Sequence, residues 1–503
     1  MHQPPPPAAG SAAAAPGVYR CGTLTYTRRH LAVLFFWLLW GDFCYMVMEH
    51  VTGPIMQLKF KALGASNFEM GLLLSTIPMT MGAFLNPIIS FKSDRFRSRW
   101  GRRIPFILGT LPFLCACLVL LGFGDRIGVW IHSFFGDGVS QAKVTIYTFA
   151  GLLLLFTFFN TFVNSVFWYL FNDVVPEHLL ARFMSWFRIV SMGAAALYNY
   201  YVFPYSGSHV MEIMCGAAVL YGVGFTLMCL NVKEGEYPPP PPYVGNRPGP
   251  IAAIKTYGKE CHSLPHYWYL WIGTFIGSIG GGIGLYNLFM NQKIGLSLEQ
   301  IGHIAAYTGI VVGVLILASG WLADRFHPIR VVLVGGILNI ALVLPANMIW
   351  LFWTPESNET AYYVAMAIAL GIAAPVAALN GVWDPPLLMR LFPRSRYGQF
   401  CSTNNLWRTM GGVLGAPVAG MFVDVMVKHV GEERAYFYIP VWQLVFAIPS
   451  FVLLVLMYRS WKRYGGDAAY VPPIDEAPPT EAQLAERARA NADQAGTRRW
   501  SAH

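Results

Sequence analysis

The sequence predicts an all-α integral membrane protein with twelve transmembrane helices arranged as two six-helix halves. The composition, the apolar runs and an internal repeat each indicate this. Hydrophobic residues make up 55% of the 503 residues and charged residues only 12%, about half of the roughly 25% typical of soluble chains. Since so little polar surface cannot cover soluble domains, the net charge of +9 is better explained by basic membrane loops than by nucleic acid.

The apolar residues fall into runs of around twenty, the length that a helix needs to cross about 30 Å of hydrocarbon. Twelve runs are predicted to be spans, at 31–53, 69–91, 104–122, 146–170, 184–204, 211–231, 267–289, 300–322, 329–351, 361–383, 402–425 and 437–458. About three-quarters of the loop Lys and Arg then lie on one side, which the positive-inside rule makes cytoplasmic. Both termini are predicted to lie on that side.

The polar and Pro-rich segments predict the domain boundaries. Residues 1–30 and 459–503 are predicted to be disordered cytoplasmic tails, with a possible short surface helix in EAQLAERARANA. The first twenty residues have no apolar core, so they do not indicate a signal peptide. A Pro-rich cytoplasmic linker, 232–266, separates an N-terminal six-helix bundle, 31–231, from a C-terminal one, 267–458.

The two halves share sequence signals. SDRFRSRWGRR at 93–103 follows the second span, and GWLADRFHPIR at 320–330 follows the eighth. The fourth and tenth spans are each followed by a Pro, a Phe-x-Ser seven residues later, an Arg and a Met-Gly. Matching signals about 217 to 230 residues apart indicate a duplicated carrier.

The first of these loops resembles that of a known family. The run from Ser93 to Ile107 is similar to the loop of sucrose–proton symporters and related glycoside–pentoside–hexuronide cation symporters, and Asp324-Arg325 resembles the loop motif of the major facilitator superfamily. The resemblance implies cation-coupled carriage of a sugar or glycoside without naming the solute. It also implies that the two loops gate the transport cycle, although clustered Arg residues would fix topology equally well. The candidate gating residues are Asp94, Arg95, Gly101, Arg102, Arg103, Asp324 and Arg325.

Asp42 is the clearest charge inside a predicted span. A carboxylate near the centre of a spanning helix costs about 2.5–3.5 kcal/mol on insertion scales, so it marks a pathway or a partner. Tyr45, Met46 and Glu49 share its helix face. We predict that Asp42 and Glu49 couple a proton or sodium ion. The alternatives are that Asp42 pairs with a distant Arg and that Glu49, beside His50, is interfacial.

Polar and aromatic side chains in other spans suggest a sugar site. Asn supplies donors and acceptors and an aromatic ring can stack on a sugar face, although Asn also joins helices in membranes. The candidate solute-binding residues are Tyr45, Asn160, Asn164, Trp168, Asn287 and Asn404. Arg188 and Arg408 are candidate charge partners, with snorkelling to the interface as the alternative.

We therefore predict a monomeric secondary carrier in a bacterial cytoplasmic membrane, with a small-molecule solute, a coupling cation and the lipid bilayer as partners. No GxxxxGK[ST] motif, metal-ligand spacing or nucleophile–base set is present in the sequence, so we expect no ATPase, metal, cofactor or enzyme activity. The alternatives are a facilitator or exporter of another small organic solute, and a sensor or assembly factor with a carrier fold.

Overall fold

Long helices dominate the chain. The computed structural model describes residues 18–21, 23–135, 138–237, 258, 261–381, 386–393 and 396–473. The long helices of these residues are α1 Arg28–Ala62, α2 Asn67–Arg95, α3 Ile104–Gly122, α4 Gln141–Val174, α5 Glu177–Leu197, α6 Val210–Asn231, α7 Pro265–Lys293, α8 Leu298–Phe326, α9 Pro328–Phe352, α10 Asn358–Asn380, α11 Tyr397–Val430 and α12 Ile439–Arg463. Shorter helices are Gly124–His132, Leu388–Leu391, Glu432–Ala435 and Gly466–Ala469.

Eleven helices of the described residues are long and apolar enough to cross a membrane. This confirms the all-α membrane class. The segment that does not qualify is α5, which carries Arg182 and Arg188 among its apolar residues. It covers most of the fifth predicted span, 184–204, so the count of twelve spans stays a prediction.

In the part of the chain that the structure describes, α2, α9 and α10 each contain a widened π-helical turn and another such turn directly follows α5; a proline follows each turn. The turns are Leu72–Thr76, Tyr198–Val202, Asn339–Val343 and Ile368–Ala373. The prolines are Pro78, Pro204, Pro345 and Pro375, each two residues beyond its turn. A proline has no N–H and its ring presses on the carbonyl four residues earlier, which in all four cases belongs to the turn. The widened turn relieves this conflict, and in α2, α9 and α10 the helix continues beyond the proline.

The helix packing repeats between the halves. In the N-terminal half α1 packs on α5 and α6, α2 on α4, and α3 on α4 and α6. The C-terminal half repeats each pairing six helices later, with α7 on α11 and α12, α8 on α10, and α9 on α10 and α12. The halves meet through α2 with α11 and through α5 with α8. Ser66 and Ser297 form capping boxes at the equivalent starts of α2 and α8.

Two predicted tails are ordered where they adjoin the bundle, which corrects their predicted boundaries. Strands β1 Val18–Cys21 and β2 Leu24–Thr27 pair antiparallel within the predicted tail 1–30. The Cys21 thiol lies 3.5 Å from two carbonyls at the end of α4, and burial raises its pKa. At the other terminus Trp461 is buried and the Tyr470 hydroxyl donates to the Leu391 carbonyl at 2.8 Å. Burial of Trp461 accounts for the order of the C-terminal segment, and strand pairing with the Cys21 contacts accounts for that of the N-terminal one. The predicted polyproline spacer and the predicted surface helix lie outside the described residues.

Candidate functional site

Asp42 lies midway along α1 and is fully buried. The Ser191 hydroxyl of α5 donates to one carboxylate oxygen at 2.7 Å. The other oxygen has no hydrogen-bond partner among the described residues. The alternative role for Asp42 is an ion pair with a distant Arg. No ion pair among the described residues includes Asp42. Asp42 is therefore a buried carboxylate with one open acceptor.

Glu49 lies seven residues further along α1, about 10 Å from Asp42 at 1.5 Å per residue. Its carboxylate accepts a hydrogen bond of 2.5 Å from the Asn160 amide of α4. The side-chain oxygen of Asn160 is buried without a partner in the described residues. Tyr45 is buried between the two carboxylates and packs against Tyr221, with ring centroids 6.4 Å apart. Two acidic groups and three polar neighbours thus share the interior of the N-terminal half.

The next polar pair of α4 is more exposed. The Trp168 indole donates to the Asn164 side chain at 3.2 Å, and both residues are exposed in the bundle. The hydroxyls of Thr157 and Thr161 bond carbonyls of their own helix. On α4, Asn164 and Trp168 therefore present polar and aromatic surface, whereas the hydroxyls of Thr157 and Thr161 are already donated to carbonyls.

The candidate charge partners differ from one another. Arg188 is exposed and lies one turn from Ser191, so it shares a helix with the donor to Asp42. Arg408 is half-buried on α11 and interacts with a neighbour. Asn404, one turn before it, is buried and accepts from the Thr274 hydroxyl of α7 at 3.2 Å. This bond joins α7 to α11, which is the role of linking helices that the sequence left open for its Asn residues.

The loop after α2 is held by acidic side chains of its own half. Arg103 is buried, with one terminal nitrogen 2.5 Å from Asp94 and its Nε 3.0 Å from Asp173 at the end of α4. Arg102 forms a bidentate pair with the same Asp173, at 2.5 and 2.9 Å. Arg95 lies half-buried in the last turn of α2. The predicted cluster is therefore assembled, with Asp173 as its centre.

Glu234 completes this cluster and was not anticipated from the sequence. Its carboxylate accepts from the backbone N–H groups of Arg102, Arg103 and Ile104 at 2.8–2.9 Å, so it binds the start of α3 where the helix dipole favours an anion. Gly101 has φ +102°, and a Cβ there would overlap Glu234. The neighbouring Tyr237 ring lies 4.2 Å from the Arg102 guanidinium; burial, then the charge of Asp173, raises the pKa of its hydroxyl.

The equivalent loop of the C-terminal half is simpler. Asp324 lies 3.2 Å from Arg390, which follows α10, and Arg325 lies over the Trp321 ring at 5.5 Å. His327 alone joins α8 to α9, with φ +67° and its ring nitrogen accepting from the Ile329 N–H at 3.3 Å. The loops after α2 and α8 lie at what we call the Arg-rich end of the bundle, and the starts of α2 and α8 lie at the Arg-poor end.

Near the Arg-poor end the halves are joined by hydrogen bonds. At the start of α2 the Asp424 carboxylate of α11 accepts from the Asn67 backbone and side chain at 3.1 and 2.8 Å, and from the Phe68 N–H at 2.9 Å. The Tyr286 hydroxyl of α7 donates to the Asn67 carbonyl at 2.6 Å, and the Tyr436 hydroxyl donates to its side chain at 2.9 Å. We call these five residues the Asn67 latch. This latch could not be predicted from the sequence, because no residue spacing relates α2 to α11.

Two further contacts between the halves involve the half of α2 and of α8 that is nearer the Arg-poor end. The Thr76 hydroxyl of α2 donates to the Val413 carbonyl of α11 at 2.5 Å. The Tyr200 ring, at the end of α5, stacks on His303 of α8 at 4.2 Å. The ion pairs described above for Asp94 and Asp324 at the Arg-rich end each stay within one half. The halves are thus closed against each other at the Arg-poor end.

A cavity of about 590 Å³ lies inside the C-terminal half. It is bounded by α7, α9, α10 and α12, and Asn287 is the predicted site residue that lines it. Its other polar lining residues include Asn291, Asn339, Asn380 and Gln443. The sequence predicts none of these other amides as site residues, because they lie far apart in the chain, in separate apolar helices.

A family model covers most of the chain. The Major Facilitator Superfamily model matches residues 38–382 and, in a second match, residues 270–492. The chain belongs to the major facilitator superfamily. This superfamily consists of membrane transporters, so a small-molecule solute is implied, and the overlapping matches agree with the repeated packing of the two halves.

Curated superfamily relatives match only short segments. The membrane-associated transporter protein of Mus musculus is 35% identical over 86 residues, 17% of this chain and 15% of that protein. The sucrose transport protein SUT1 of Oryza sativa subsp. japonica is 40% identical over 47 residues, 9% of each chain. The matches therefore span less than a fifth of either relative.

Solved superfamily structures match almost end to end. A bacterial homologue of the human lysosomal transporter Spinster, in an inward-facing conformation, gives a TM-score of 0.58 at 14% identity, with 86% of this chain and 99% of that one covered. A D-xylose–proton symporter gives 0.56 at 13% identity, with 83% and 97% covered. The nucleoside transporter NupG gives 0.58 at 11%, with 85% and 99% covered. At these identities the similarity confirms the superfamily fold and no particular solute.

Proposed function

We propose that the protein is a secondary active carrier that moves a sugar or glycoside together with a proton by alternating access. The observation that carries the coupling is Asp42, a fully buried carboxylate with one oxygen bonded to Ser191 and the other unpartnered among the described residues. Such a carboxylate within a spanning helix marks an ion pathway. Protonation of Asp42 would remove the buried charge. Binding of the proton would thereby change the relative stability of the conformations of the helix bundle.

Glu49 is the second coupling residue in this proposal. Its 2.5 Å hydrogen bond from Asn160 ties α1 to α4, so a change of charge at Glu49 alters the contact between two helices of the N-terminal half. Arg188 is the nearest candidate cation, since it lies one turn from Ser191. A solute that displaced or recruited Arg188 would change the field at Asp42, which gives a physical link between solute and proton.

The conformation supports alternating access. The Asn67 latch holds the halves together at the Arg-poor end, whereas the Asp94–Arg103 and Asp324–Arg390 pairs lie within separate halves. If the Arg-rich end is cytoplasmic, as the positive-inside rule predicts, this arrangement is an inward-facing state. We infer that the Asp94 and Asp324 clusters exchange partners when the opposite end opens.

A sugar is the favoured solute for two reasons. The loop from Ser93 to Ile107 resembles that of sucrose–proton symporters, and a short segment is 40% identical to a sucrose transport protein. Asn164 and Trp168 also present an amide and an exposed indole side by side, the combination that hydrogen-bonds hydroxyls and stacks on a sugar face. We place the carrier in a bacterial cytoplasmic membrane as a monomer.

The test uses purified full-length protein in proteoliposomes that contain a pH-sensitive dye. Sucrose, maltose and monosaccharides are added outside one at a time, and proton entry is recorded. We expect acidification with at least one sugar, and no acidification in liposomes without protein. Labelled-sugar uptake is measured in parallel, with and without an imposed pH gradient.

The outcomes separate the alternatives. Saturable sugar uptake that is indifferent to the pH gradient contradicts proton coupling and indicates a facilitator, unless a sodium gradient drives it. Uptake of another solute class but of no sugar removes the sugar assignment. The absence of any saturable uptake contradicts the carrier function and favours a sensor or assembly factor.

A further inference from the structure

We propose that the cavity inside the C-terminal half is a binding site for an uncharged carbohydrate of mono- to disaccharide size. The cavity is bounded by α7, α9, α10 and α12 and measures about 590 Å³, within the range of small-molecule sites. This inference rests on the proposed function, because it locates the solute of that carrier. Asn164 and Trp168 of the N-terminal half do not line this cavity, so a sugar bound in it would contact them only at another step of its passage.

Five carboxamide side chains point to the ligand chemistry. They are Asn287, Asn291, Asn339, Asn380 and Gln443. None of the five side chains has a hydrogen-bond partner among the residues that the structure describes. By contrast, the other polar lining side chains Asn347 and Ser450 bond backbone carbonyls at 2.9 Å. The five amides are therefore the groups whose donors and acceptors remain available in this cavity.

An available amide is costly in this setting. Polar groups within a membrane-spanning bundle must be satisfied inside it, because hydrocarbon offers no partner. Five such groups around one cavity need a guest that can both donate and accept hydrogen bonds in several directions. Each carboxamide supplies two N–H donors and one carbonyl acceptor, and each hydroxyl is both donor and acceptor. A polyhydroxylated ring matches this set.

The lining also selects against charged solutes. Among the described residues that line the cavity there is no Asp, Glu, Lys, Arg or His. An ion that entered would lose its hydration without meeting an opposite charge, which costs far more than the loss of one hydrogen bond. We therefore expect neutral sugars to bind, and sugar acids and amino sugars to be rejected.

The backbone keeps this cavity wide. The π-helical turns Asn339–Val343 of α9 and Ile368–Ala373 of α10 both border it and pack against each other. The lining residues Gly277, Gly280 and Gly281 of α7 add no side chain. Widened turns of this kind frequently accompany functional sites. The site is thus formed by backbone features as well as by the amides.

The first experiment measures equilibrium binding of radiolabelled sucrose, maltose and glucose to the full-length protein in nanodiscs, without any ion gradient. We expect at least one to bind. The double variant Asn339→Leu, Asn380→Leu should weaken that binding by about tenfold or more, because two of the hydrogen-bonding partners are lost. Asn231→Leu is the matched control, since Asn231 bonds a carbonyl of its own helix outside the cavity. Failure of all three sugars to bind, or unchanged binding in a folded double variant, overturns the proposal.

A specificity change keeps the inference testable even if the double variant does not fold. Asn287→Asp retains the size of the side chain and introduces an anion at an exposed position of the lining. We expect glucosamine, which the wild type rejects, to compete for the site in this variant, while glucuronate stays excluded. A lack of glucosamine binding in the variant, or equal competition by both charged sugars in the wild type, contradicts the site.

The results distinguish this inference from the proposed function. Sugar binding that depends on the amides, without sugar-driven proton entry, keeps the site and removes the coupling. Proton-coupled sugar uptake that is unaffected by the amide substitutions keeps the carrier and removes the site.

Discussion

The two halves of the molecule repeat the same helix packing but fill its interior differently. In the N-terminal half, packed aromatic rings fill the space between α1, α3, α4 and α6. The ring centroid of Phe225 lies 4.5 Å from that of Tyr221 and 5.1 Å from that of Phe167. In the C-terminal half the equivalent space between α7, α9, α10 and α12 is the 590 Å³ cavity. The buried carboxylate of Asp42 and the half-buried one of Glu49 belong to the first half, and the available amides belong to the second.

This difference separates the two tasks of a coupled carrier. A group that exchanges a proton benefits from a tightly packed environment, because burial disfavours its charged form. Gain or loss of the proton then has a large effect on the energy of the surrounding helices. A solute site needs volume and neutral hydrogen-bonding groups instead. Duplication followed by divergence lets each half meet one requirement. The proposals for Asp42 and for the amide cavity express this division, and the following substitutions test it.

The largest expected effect is that of Asp42→Asn. Asparagine can still accept a hydrogen bond from Ser191, but it cannot take up a proton. We therefore expect sugar-driven proton entry and uphill uptake to be abolished. Exchange of labelled for unlabelled sugar across the membrane should persist, because it needs no net proton movement.

The matched control is Asp125→Asn, which makes the same chemical change at an exposed ion pair with Lys59. It should leave proton entry unchanged. Unaltered uphill uptake by Asp42→Asn would remove the central residue of the mechanism. Loss of exchange as well as coupling would indicate that Asp42 supports the bundle and not the proton pathway.

Asp424→Asn tests the closure between the halves. Its carboxylate accepts three hydrogen bonds from Asn67 and Phe68, and an amide must turn a donor towards at least one of them. Hydrogen bonds to charged groups contribute about 1.5–3 kcal/mol, so we expect the closed Arg-poor end to lose about tenfold or more in population. Spin labels at the exposed positions Lys143 and Glu356, one on each half, report the separation by double electron–electron resonance.

The control for this prediction removes an ion pair at the same end. Glu433 is exposed and pairs with Lys293 of its own half at 2.8 Å, so Glu433→Gln should leave the distance distribution unchanged. A distribution for Asp424→Asn that equals that of the wild type means that the latch contributes nothing to closure.

The fold can be predicted from the sequence because the membrane spans and the duplication each have a sequence pattern of their own. Runs of apolar residues define the spans, and the Asp-Arg loops after α2 and α8 reveal the duplication. Asp42 also stands out by sequence alone, because a carboxylate near the centre of an apolar run must have either a pathway or a partner. The fifth span is the weakest prediction, because Arg182 and Arg188 lower the apolar content of α5.

The contacts between helices lie beyond such reasoning. Glu234 reads as an ordinary linker charge, yet it caps α3 through three backbone N–H groups. Asp424 reads as one more acid near the end of α11, yet it joins the two halves. The amides of α9, α10 and α12 are single residues whose convergence depends on the packing of four helices. Asn404, by contrast, is a solute-binding residue predicted from the sequence, and in the structure it is bonded to Thr274.

A pair of small-to-large substitutions tests the filled and hollow interiors directly. Ala218 of α6 is only 3% exposed in the packed N-terminal half, so Ala218→Phe should lower the free energy of unfolding by about 3 kcal/mol. Ala369 of α10 lines the cavity, so Ala369→Phe should cost little stability while it abolishes sugar binding. Thermal unfolding in detergent and the nanodisc binding assay measure the two effects. Equal destabilisation by both variants would mean that the C-terminal space is not an open cavity in the folded protein.

The smallest expected effects concern the two loops at the Arg-rich end. In the N-terminal half Gly101→Ala forces a side chain into φ +102° and against Glu234, which we expect to cost about 1–2 kcal/mol. Gly109→Ala is the control, because a Cβ at Gly109 meets no atom within 4 Å. A melting temperature for Gly101→Ala that matches that of Gly109→Ala would exclude a structural need for glycine in this loop.

In the C-terminal loop a non-glycine residue, His327, already has a positive φ. Here a change to glycine, and not away from it, would relieve backbone strain. His327→Gly relieves that backbone strain but loses the bond from the Ile329 N–H and the ring contact with Trp461, 4.7 Å away. We therefore expect little net change at neutral pH.

Burial, followed by the nearby Arg390, lowers the pKa of His327 from 6.5 to about 4. The folded state thus disfavours the protonated ring, and the wild type should lose stability as pH falls from about 6.5 towards 4. His327→Gly removes this contribution, so its advantage over the wild type should grow in acid; parallel melting curves across this pH range would contradict the assignment.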